Sequence, residues 1–187
     1  MSASAETEST KAVWTVDKAH TSVEFAVRHM MFTTVRGRFT AFEINVDFDQ
    51  ANPEGSSLEA KIEAASVDTR DVDRDTHLRS ADFFDAEKYP FLVFKSRRIE
   101  RASNGRYRII GDLTIRGVTK EVALDTEFAG TGKNPWGATV AAFSAETKID
   151  RKQFGLNWNA ALEAGGVLVG DEVKIQLEVE LTQQNAK

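Results

Sequence analysis

Apolar and polar residues alternate along most of this chain with a period of two. Over residues 42–49, phenylalanine, isoleucine and valine take the even positions, and acidic residues with one asparagine take the odd positions. The same alternation recurs over residues 107–115, 118–128 and 173–181. A strand with one buried and one solvated face has this pattern, because its side chains point alternately to opposite faces. The pattern therefore predicts antiparallel strands with one apolar face.

Further strands are predicted where shorter apolar runs lie between turn signals. These runs cover residues 13–17, 21–29, 58–67, 91–100 and 138–149. The dipeptide Asn104-Gly105 separates two strands and is typical of a hairpin turn. Eight or nine strands joined by short turns favour closure of the sheet, because closure removes exposed strand edges. We therefore expect an all-β fold, an extended antiparallel eight-stranded β-barrel of lipocalin-like form.

Two segments break the β pattern and predict one or two short helices. Residues 71–84 begin with acidic residues and carry Arg79 later, an order that complements the dipole of a helix. A second short helix or irregular turn is expected around residues 151–154.

The length of the strands bears on whether the barrel is hollow. The alternating runs reach about ten residues, against a usual five or six, so a tall barrel is expected. Small residues at inward positions (Ala60, Ala64 and Gly111) leave space inside a barrel of this size. Alternation alone is equally compatible with a filled interior.

The chain is expected to form one domain. No internal repeat or linker divides it, and 187 residues suffice for a single β-rich domain. We expect this barrel domain to cover residues 12–183. Residues 1–11 are small and polar and are expected to form a disordered leader, and residues 184–187 a C-terminal tail.

Composition and charge narrow the class of protein. The chain has no cysteine, which excludes disulfides and thiolate metal sites. Its net charge of -5 disfavours nucleic-acid binding, which needs a basic surface. The polar start lacks the features of a secretory signal, and no segment has the continuous apolar length of a membrane helix. We therefore expect a soluble, cytoplasmic protein without stable membrane insertion.

Motifs for catalysis and metal binding are scarce. Phosphate-loop, zinc-protease and serine-hydrolase motifs do not occur in the sequence. Asp71, Asp73 and Asp75 resemble the start of a calcium loop, but the glycine and the final glutamate of such a loop are missing. A helix N-terminus is the simpler interpretation of these residues.

The three histidines are the remaining candidates for chemistry. His20, His29 and His77 are scattered along the chain, and nothing in their spacing pairs them for a metal ion or for acid–base catalysis. We expect no metal, no cofactor and no enzymatic activity.

Cations lie beside a change in the phase of the alternation. Phe39 belongs to an odd-numbered apolar series, whereas the series that begins at Phe42 is even-numbered. A phase change of one residue is typical of a β-bulge, and bulges are frequent at barrel rims and beside ligand sites. His29, Arg36 and Arg38 are near this point. A solvated surface position is the simpler interpretation of any one of these arginines.

Four segments between residues 14 and 182 carry motifs whose order is distinctive. They are WTVD (14–17) with HTS (20–22) and VRHM (27–30); HLRSADFF (77–84) with YP (89–90); GDLTIRGVTK (111–120); and DRKQFGL (150–156) with GDEV (170–173). No single one of them is decisive. Together they resemble the YceI-like family.

This resemblance implies an extended barrel that encloses a long apolar pore and holds a lipid in it. Polyisoprenoids, including isoprenoid quinones and polyprenyl pyrophosphates, are the ligand class associated with the family. Fatty amides or lipophilic antibiotics are associated with some relatives. Many relatives carry a secretory signal, whereas this chain starts with a polar segment, so periplasmic placement is not implied.

Strand parity and the resemblance together give the candidate ligand-binding residues. The residues expected to line the apolar pore are Phe25, Val27, Phe42, Ile44, Leu113, Ile115, Phe143 and Phe154. His29, Arg36 and Arg79 are the candidates for the polar end, facing a pyrophosphate or quinone oxygens. Arg79 has a structural alternative, because it is also spaced to pair with Asp75 or Asp82.

We expect a lipid-binding protein that holds a long isoprenoid chain for transport, storage or sequestration, with a homodimer as its candidate assembly. Two other classes stay open at this point. One is a stress-related interaction protein with an incidental ligand. The other is an acid–base enzyme that acts on a lipophilic substrate.

Overall fold

The alternating segments form eleven β-strands in the computed structural model, which describes residues 11–184. The strands are β1 (Trp14–Val16), β2 (Ser22–His29), β3 (Thr33–Phe39), β4 (Phe42–Asp47), β5 (Ser57–Glu63), β6 (Val67–Asp68), β7 (Phe91–Arg101), β8 (Tyr107–Ile115), β9 (Val118–Lys133), β10 (Thr139–Asp150) and β11 (Val169–Gln183). The described part contains one α-helix, α1 (Val72–Arg79). Its 3-10 helices are Lys18–His20, Pro53–Gly55, Ala64–Ser66, Ser103–Gly105 and Arg151–Phe154.

The predicted leader and tail lie almost wholly outside the described residues. Of the leader, 1–11, only Lys11 is described, and of the tail, 184–187, only Gln184. Within the described part, no helix has the length and apolar character that a membrane crossing requires.

The strands pair antiparallel in the order β4-β5-β7-β8-β9-β10-β11-β2-β3-β6, and β1 pairs with the last residues of β11. β6 follows β5 in the chain after one 3-10 turn, so the two ends of this order meet and the sheet curls into a barrel. β1 and β4 lie side by side, but the described residues form no hydrogen-bonded ladder between them.

The predicted all-β, antiparallel barrel is confirmed, while the strand count is eleven instead of eight. One cause is the segment 58–67, which was expected to be a single strand. A 3-10 turn over Ala64–Ser66 interrupts it, and the short β6 beyond that turn pairs with β3 instead of β4. The hairpin at Asn104-Gly105 is present, and both residues have the positive φ that a tight turn requires, 59° and 70°.

The phase change between Phe39 and Phe42 is a corner, not the expected β-bulge. β3 ends at Phe39 and β4 begins at Phe42, so the chain leaves the ladder with β6 and enters the ladder with β5. The Thr40 N–H donates to the carbonyl of Ser66, and the carbonyl of Ala41 accepts from the Glu63 N–H. Two residues between the strands bring both phenylalanines to the inside.

The predicted helix at 71–84 is shorter than expected. Asp71 caps its start by accepting from the Arg74 N–H at 3.0 Å. The buried carboxylate of Asp75 accepts from the backbone N–H and the hydroxyl of Thr69. The helix ends at Arg79, where the Ser80 N–H and hydroxyl both bond to the carbonyl of His77. Asp71 and Asp75 therefore stabilise the N-terminal turn of the helix, which agrees with the prediction of a helix N-terminus.

We call the end of the barrel with α1 and residues 151–158 the upper end, and the end with β1 the lower end. At the upper end, Arg151 is buried, with 4% of its side chain exposed. Its guanidinium donates to four carbonyls, those of Leu156, Trp158, Val169 and Gly170, at 2.7–3.2 Å. Burial lowers the pKa of Arg151. This side chain fastens the loop after β10 to the start of β11.

Candidate ligand-binding chambers

The inward faces of the strands enclose two apolar chambers stacked along the barrel. The upper chamber has a volume of about 80 Å³, and the lower chamber about 90 Å³. The upper chamber is lined by residues that include Val23, Phe25, Phe39, Ile44, Leu113, Ile115 and Ile175. The lower chamber is lined by residues that include Val46, Phe48, Ile109, Phe128, Phe143 and Leu181. Strand alternation alone places all of these side chains inside.

The two chambers meet at a shared girdle of four aliphatic residues. Leu58, Leu124, Leu177 and Val179 line both chambers. Leu124 is 4% exposed and projects from β9 into this girdle. A chain that runs the length of the barrel must pass these four side chains, so we call them the junction.

Three phenylalanines dominate the wall of the lower chamber. The ring centroids of Phe128 and Phe143 are 5.0 Å apart in a stacked arrangement, and Phe48 meets both rings at 5.1–5.6 Å. Trp14 of β1 packs against the outer side of Phe48 at 5.6 Å. These ring contacts are favourable. The part of the wall that they form consists of side chains, which can change rotamer, whereas backbone atoms of the strands cannot move aside.

Small inward residues do not simply make space. A Cβ on Gly37 would overlap the ring of Phe25, and one on Gly111 would overlap the ring of Phe94 and the carbonyl of Lys95. Each glycine therefore seats a neighbouring aromatic ring against the barrel wall. Ala64 is fully buried in the core, and Ala60 is the small residue that borders the upper chamber.

Five of the eight residues expected to line a pore border a chamber. Phe25, Ile44, Leu113 and Ile115 border the upper chamber, and Phe143 borders the lower chamber.

The other three expected pore residues border neither chamber. Val27 lies beyond Phe25 toward the β2–β3 turn. Phe42 lies at the corner opposite Ile62, and Phe154, 1% exposed, fills the apolar cluster of the upper end. For Val27 and Phe42, parity predicts the inner face but not the position of the side chain along the barrel axis. Phe154 was predicted from its motif, and it lies in the 3-10 helix Arg151–Phe154.

The three residues expected at the polar end border neither chamber. Arg36 is exposed and points away from the interior, because its neighbours Val35 and Gly37 take the inner face of β3. Arg79 donates to the carbonyls of Ala65 and Val67 at 2.8 and 3.3 Å, and so ties α1 to the barrel. It pairs with neither Asp75 nor Asp82, its expected alternatives.

His29 and the remaining histidines lie in separate places. His29 is half-buried on the strand face of Phe25, at the upper end of β2. His77 bonds to Asp82 at 2.8 Å and packs on Phe83 and Trp158. His20 lies at the lower end, so the three rings do not form one metal site.

Neither chamber is lined by a lysine, arginine or histidine among the described residues. The polar residues of the lining are Ser56, Ser57, Tyr107, Thr126, Thr147 and Glu24, and Glu24 is exposed on the outer face of β2. An anionic head group inside either chamber would have no cation to meet.

Outside the barrel, Asp17, His20 and Glu180 come together at the lower end. The carboxylate of Asp17 lies 2.8 Å from Nδ1 of His20, and a Glu180 oxygen lies 3.8 Å from the same nitrogen. The hydrogen bond from His20 holds the pKa of Asp17 below its usual value, and Asp17 raises the pKa of His20. Thr21 accepts from the Glu180 N–H, so this group joins β11 to the turn before β2.

The Asp17–His20 pair gives a prediction about pH. We expect His20 to titrate above its ordinary 6.5 and Asp17→Asn to return it toward that value, because Asp17 is the main cause of the shift. The stabilising effect of the raised His20 pKa is complete below 6.5 and is lost as pH rises through the folded-state pKa. The lowered pKa of Asp17 acts in the opposite direction. Its stabilising effect is present above the ordinary pKa of an aspartate and is lost as pH falls through the folded-state pKa of Asp17. NMR titration of the His20 ring measures this, and an unchanged pKa in Asp17→Asn contradicts it.

A curled antiparallel sheet around an apolar interior defines this protein as a lipocalin-like β-barrel. The chain belongs to the YceI-like family, since a model of the YceI-like domain matches residues 14–181. It is 37% identical to a UPF0312 protein of Staphylococcus epidermidis, over 90% of this chain and 96% of that protein.

Two solved structures share the fold. BcnA of Burkholderia cenocepacia is similar with a TM-score of 0.78 and 28% identity, over 88% of this chain and 98% of that chain. A polyisoprenoid binding domain from Saccharophagus degradans has a TM-score of 0.66 and 12% identity, over 93% of this chain and 100% of that chain. At this identity the second likeness concerns the fold alone.

Proposed function

We propose that this protein binds a long isoprenoid lipid, with the apolar tail in the two chambers. The observation that carries the proposal is the pair of chambers joined by an aliphatic junction, with no cation in their lining among the described residues. The S. degradans domain of the same fold is a polyisoprenoid binding domain, which supports this ligand class. Each buried methylene contributes about 0.8 kcal/mol, so tail length supplies most of the affinity.

The lining favours a neutral head group over a pyrophosphate. Arg36 is directed outward, and Arg79 already donates to two backbone carbonyls. A desolvated pyrophosphate needs charge-assisted partners, whereas a quinone oxygen can accept a hydrogen bond from a single hydroxyl such as that of Tyr107. We therefore propose an isoprenoid quinone, or another isoprenoid with an uncharged head, as the preferred ligand.

The chamber volumes bear on how a long tail enters. A cavity of about 150 Å³ lined by aliphatic and aromatic residues holds one benzene molecule. The two chambers therefore take only a short stretch of chain as they stand. A longer tail has to push side chains aside, and the three phenylalanines of the lower chamber are the most adjustable part of the wall.

A binding protein fits the lining better than an enzyme. General acid–base catalysis needs an ionisable group within hydrogen-bond reach of a bound substrate. Among the described lining residues, the one carboxylate is that of Glu24, which is exposed on the outer face of β2. We propose transport, storage or sequestration of the lipid as the role of this binding.

Native mass spectrometry of the purified chain, incubated with isoprenoids of graded length, tests this function. We expect uptake of a quinone series, with affinity that rises about tenfold for each two or three added carbons until the chambers are full. A polyprenyl pyrophosphate of equal length is expected to bind no more tightly than the quinone.

Two results would contradict the proposal. A protein that takes up no member of either series, and carries no lipid after organic extraction, is not an isoprenoid binder. If the protein prefers a pyrophosphate over a quinone of equal length, it must have a cationic head-group site. The described lining of the two chambers does not provide one.

A further inference from the structure

The turn between β2 and β3 exposes a compact set of large apolar side chains. Met30, Met31 and Phe32 are 40%, 61% and 81% exposed, and Val167 of the neighbouring loop is 41% exposed. The Met30 N–H donates to the carbonyl of Leu168 at 2.8 Å, which holds this loop against the turn. We call these four residues the hairpin tip.

The backbone of the hairpin tip is unusual for such residues. Met30 and Met31 have φ of 50° and 66°, in the left-handed region that glycine and asparagine normally take in a two-residue turn. The Phe32 N–H closes the turn on the carbonyl of His29 at 3.1 Å. Two methionines at these positions strain the turn and expose apolar surface to water, so neither folding nor solubility explains them. Strain of this kind is characteristic of functional sites.

The ends of β2 and β3 next to the hairpin tip carry positive charge. Residues 28–38 contain three arginines and no acidic residue, and the loop 155–168 contains one charged residue, Glu163. Arg38 is paired with Asp68 at 3.1 Å. Arg28 and Arg36 are exposed, and neither forms an ion pair within residues 11–184.

We propose that the hairpin tip inserts into the interface of a bilayer that contains anionic lipids. Arg28 lies opposite Thr34, about 7 Å along the strand from Phe32, and Arg36 lies about 13 Å from it. An interfacial anchor buries its apolar groups about 5–10 Å deep, which places Arg28 among the phosphates and Arg36 just outside them. The apolar tip and the cations thus match the two layers of a lipid surface.

A bilayer fits this surface better than a second protein molecule. The hairpin tip is a protruding turn that exposes a few hundred Å² at most, whereas a stable protein interface buries about 800 Å² on each partner. A second copy of this chain would also bring its own Arg28 and Arg36 toward those of the first. Anionic lipids satisfy these guanidinium groups.

The biological role of docking at the hairpin tip rests on the proposed function, because a protein that carries a membrane lipid has to contact a membrane. β2 and β3 contribute Phe25 and Phe39 to the wall of the upper chamber. β3 pairs with β6 only at Arg38 and Phe39, so its upper half is held on one side alone. Docking therefore brings the least supported wall of the chamber to the bilayer.

The opposite end of the barrel offers a matched control. Trp136, in the β9–β10 turn, is 84% exposed, and this turn contains no other exposed large hydrophobic residue among those described. Phe32→Ser and Trp136→Ser each remove one exposed aromatic ring without touching the core. Vesicle sedimentation with ligand-free protein compares them on phosphatidylcholine alone and on phosphatidylcholine with phosphatidylglycerol.

We expect the wild type to bind the anionic vesicles, and to bind them more weakly in high salt, since exposed charges are screened. Phe32→Ser is expected to lower the partition coefficient about tenfold or more, and Trp136→Ser to leave it within about twofold. A Phe32→Trp, Trp136→Phe variant keeps Trp14 and Trp158, so it is compared with Trp136→Phe alone. Brominated lipids are expected to quench a larger share of the tryptophan fluorescence in the variant that carries the new residue.

Other outcomes overturn the proposal. It is wrong if wild-type protein ignores anionic vesicles, if Trp136→Ser loses binding and Phe32→Ser does not, or if Phe32→Ser converts a dimer to a monomer in sedimentation velocity. Isoprenoid uptake from detergent by Phe32→Ser separates the two hypotheses, because this residue borders neither chamber. If the wild type takes up isoprenoids from detergent but does not bind anionic vesicles, docking at the hairpin tip is wrong and the proposed function stands. If the wild type takes up no isoprenoid, the proposed function is wrong.

Discussion

Arg151→Met is expected to lower the free energy of unfolding by about 3–5 kcal/mol, a large effect for a single substitution. The guanidinium is buried and donates to four carbonyls that belong to two separate segments. Methionine fills similar volume but donates nothing, so those carbonyls lose their partner away from water. For a chain of this length the loss corresponds to a fall of roughly 10 °C in Tm, measurable by calorimetry.

Two further variants separate hydrogen bonding from charge at this position. Arg151→Lys keeps the charge but not the planar fork, so it is expected to recover only part of the lost stability. Asp171→Asn is expected to change the free energy of unfolding by less than about 1 kcal/mol, because Asp171 is half-exposed and 3.7 Å from the guanidinium. If Asp171→Asn destabilises as much as Arg151→Met, an ion pair and not carbonyl satisfaction holds this corner.

Alternation was sufficient to predict the fold because, in each strand, the apolar residues mark the face toward the interior and the polar residues mark the face toward solvent. In β8 the buried Ile115 and Leu113 and the half-buried Ile109 all hold the positions that parity assigned. Asn104-Gly105 was predictable for a local reason, since these two residues are the centre of the turn that the Arg106 N–H closes on the Ser103 carbonyl, and both have positive φ. The 3-10 turn at Ala64–Ser66 was not, because its cause is the pairing of β6 with the distant β3.

The candidate site was less predictable, because depth along the barrel axis depends on how the strands are staggered. Phe25 and Val27 have the same parity, yet only Phe25 reaches a chamber. The junction residues Leu58 and Leu124 were on the predicted inner faces, but only the closed barrel shows that they lie at one level. The parity of a position therefore identifies the inward-facing residues, and the stagger of the strands decides which of these residues border a chamber.

Arginine roles were the least predictable, because a long polar side chain has several partners within reach. The motif that contains Arg79 was compatible with a head-group contact, and the side chain instead satisfies carbonyls of the Ala64–Ser66 turn and of β6. Arg151 behaves in the same way within its own motif. Part of the sequence signature of the family is therefore explained by hydrogen bonds that hold the upper end together.

Leu124→Trp is expected to divide the interior and cap the length of tail that the protein binds. Leu124 is 4% exposed at the junction, so a larger ring closes the passage between the chambers. In the native mass spectrometry series, affinity for short isoprenoids is expected to change little. For long isoprenoids we expect a loss of about a hundredfold, because roughly half of the buried methylenes are forfeited at about 0.8 kcal/mol each.

Overpacking costs about 1–3 kcal/mol, so the fold of Leu124→Trp has to be verified by its melting transition. Leu124→Ala provides the opposite change, since it widens the junction and is expected to keep long-chain binding despite a lower Tm. Asp125→Trp adds the same ring on the exposed outer face of β9 and controls for bulk alone. If a folded Leu124→Trp binds long and short tails as the wild type does, the tail does not run through the junction, and the ligand lies within a single chamber or outside the barrel.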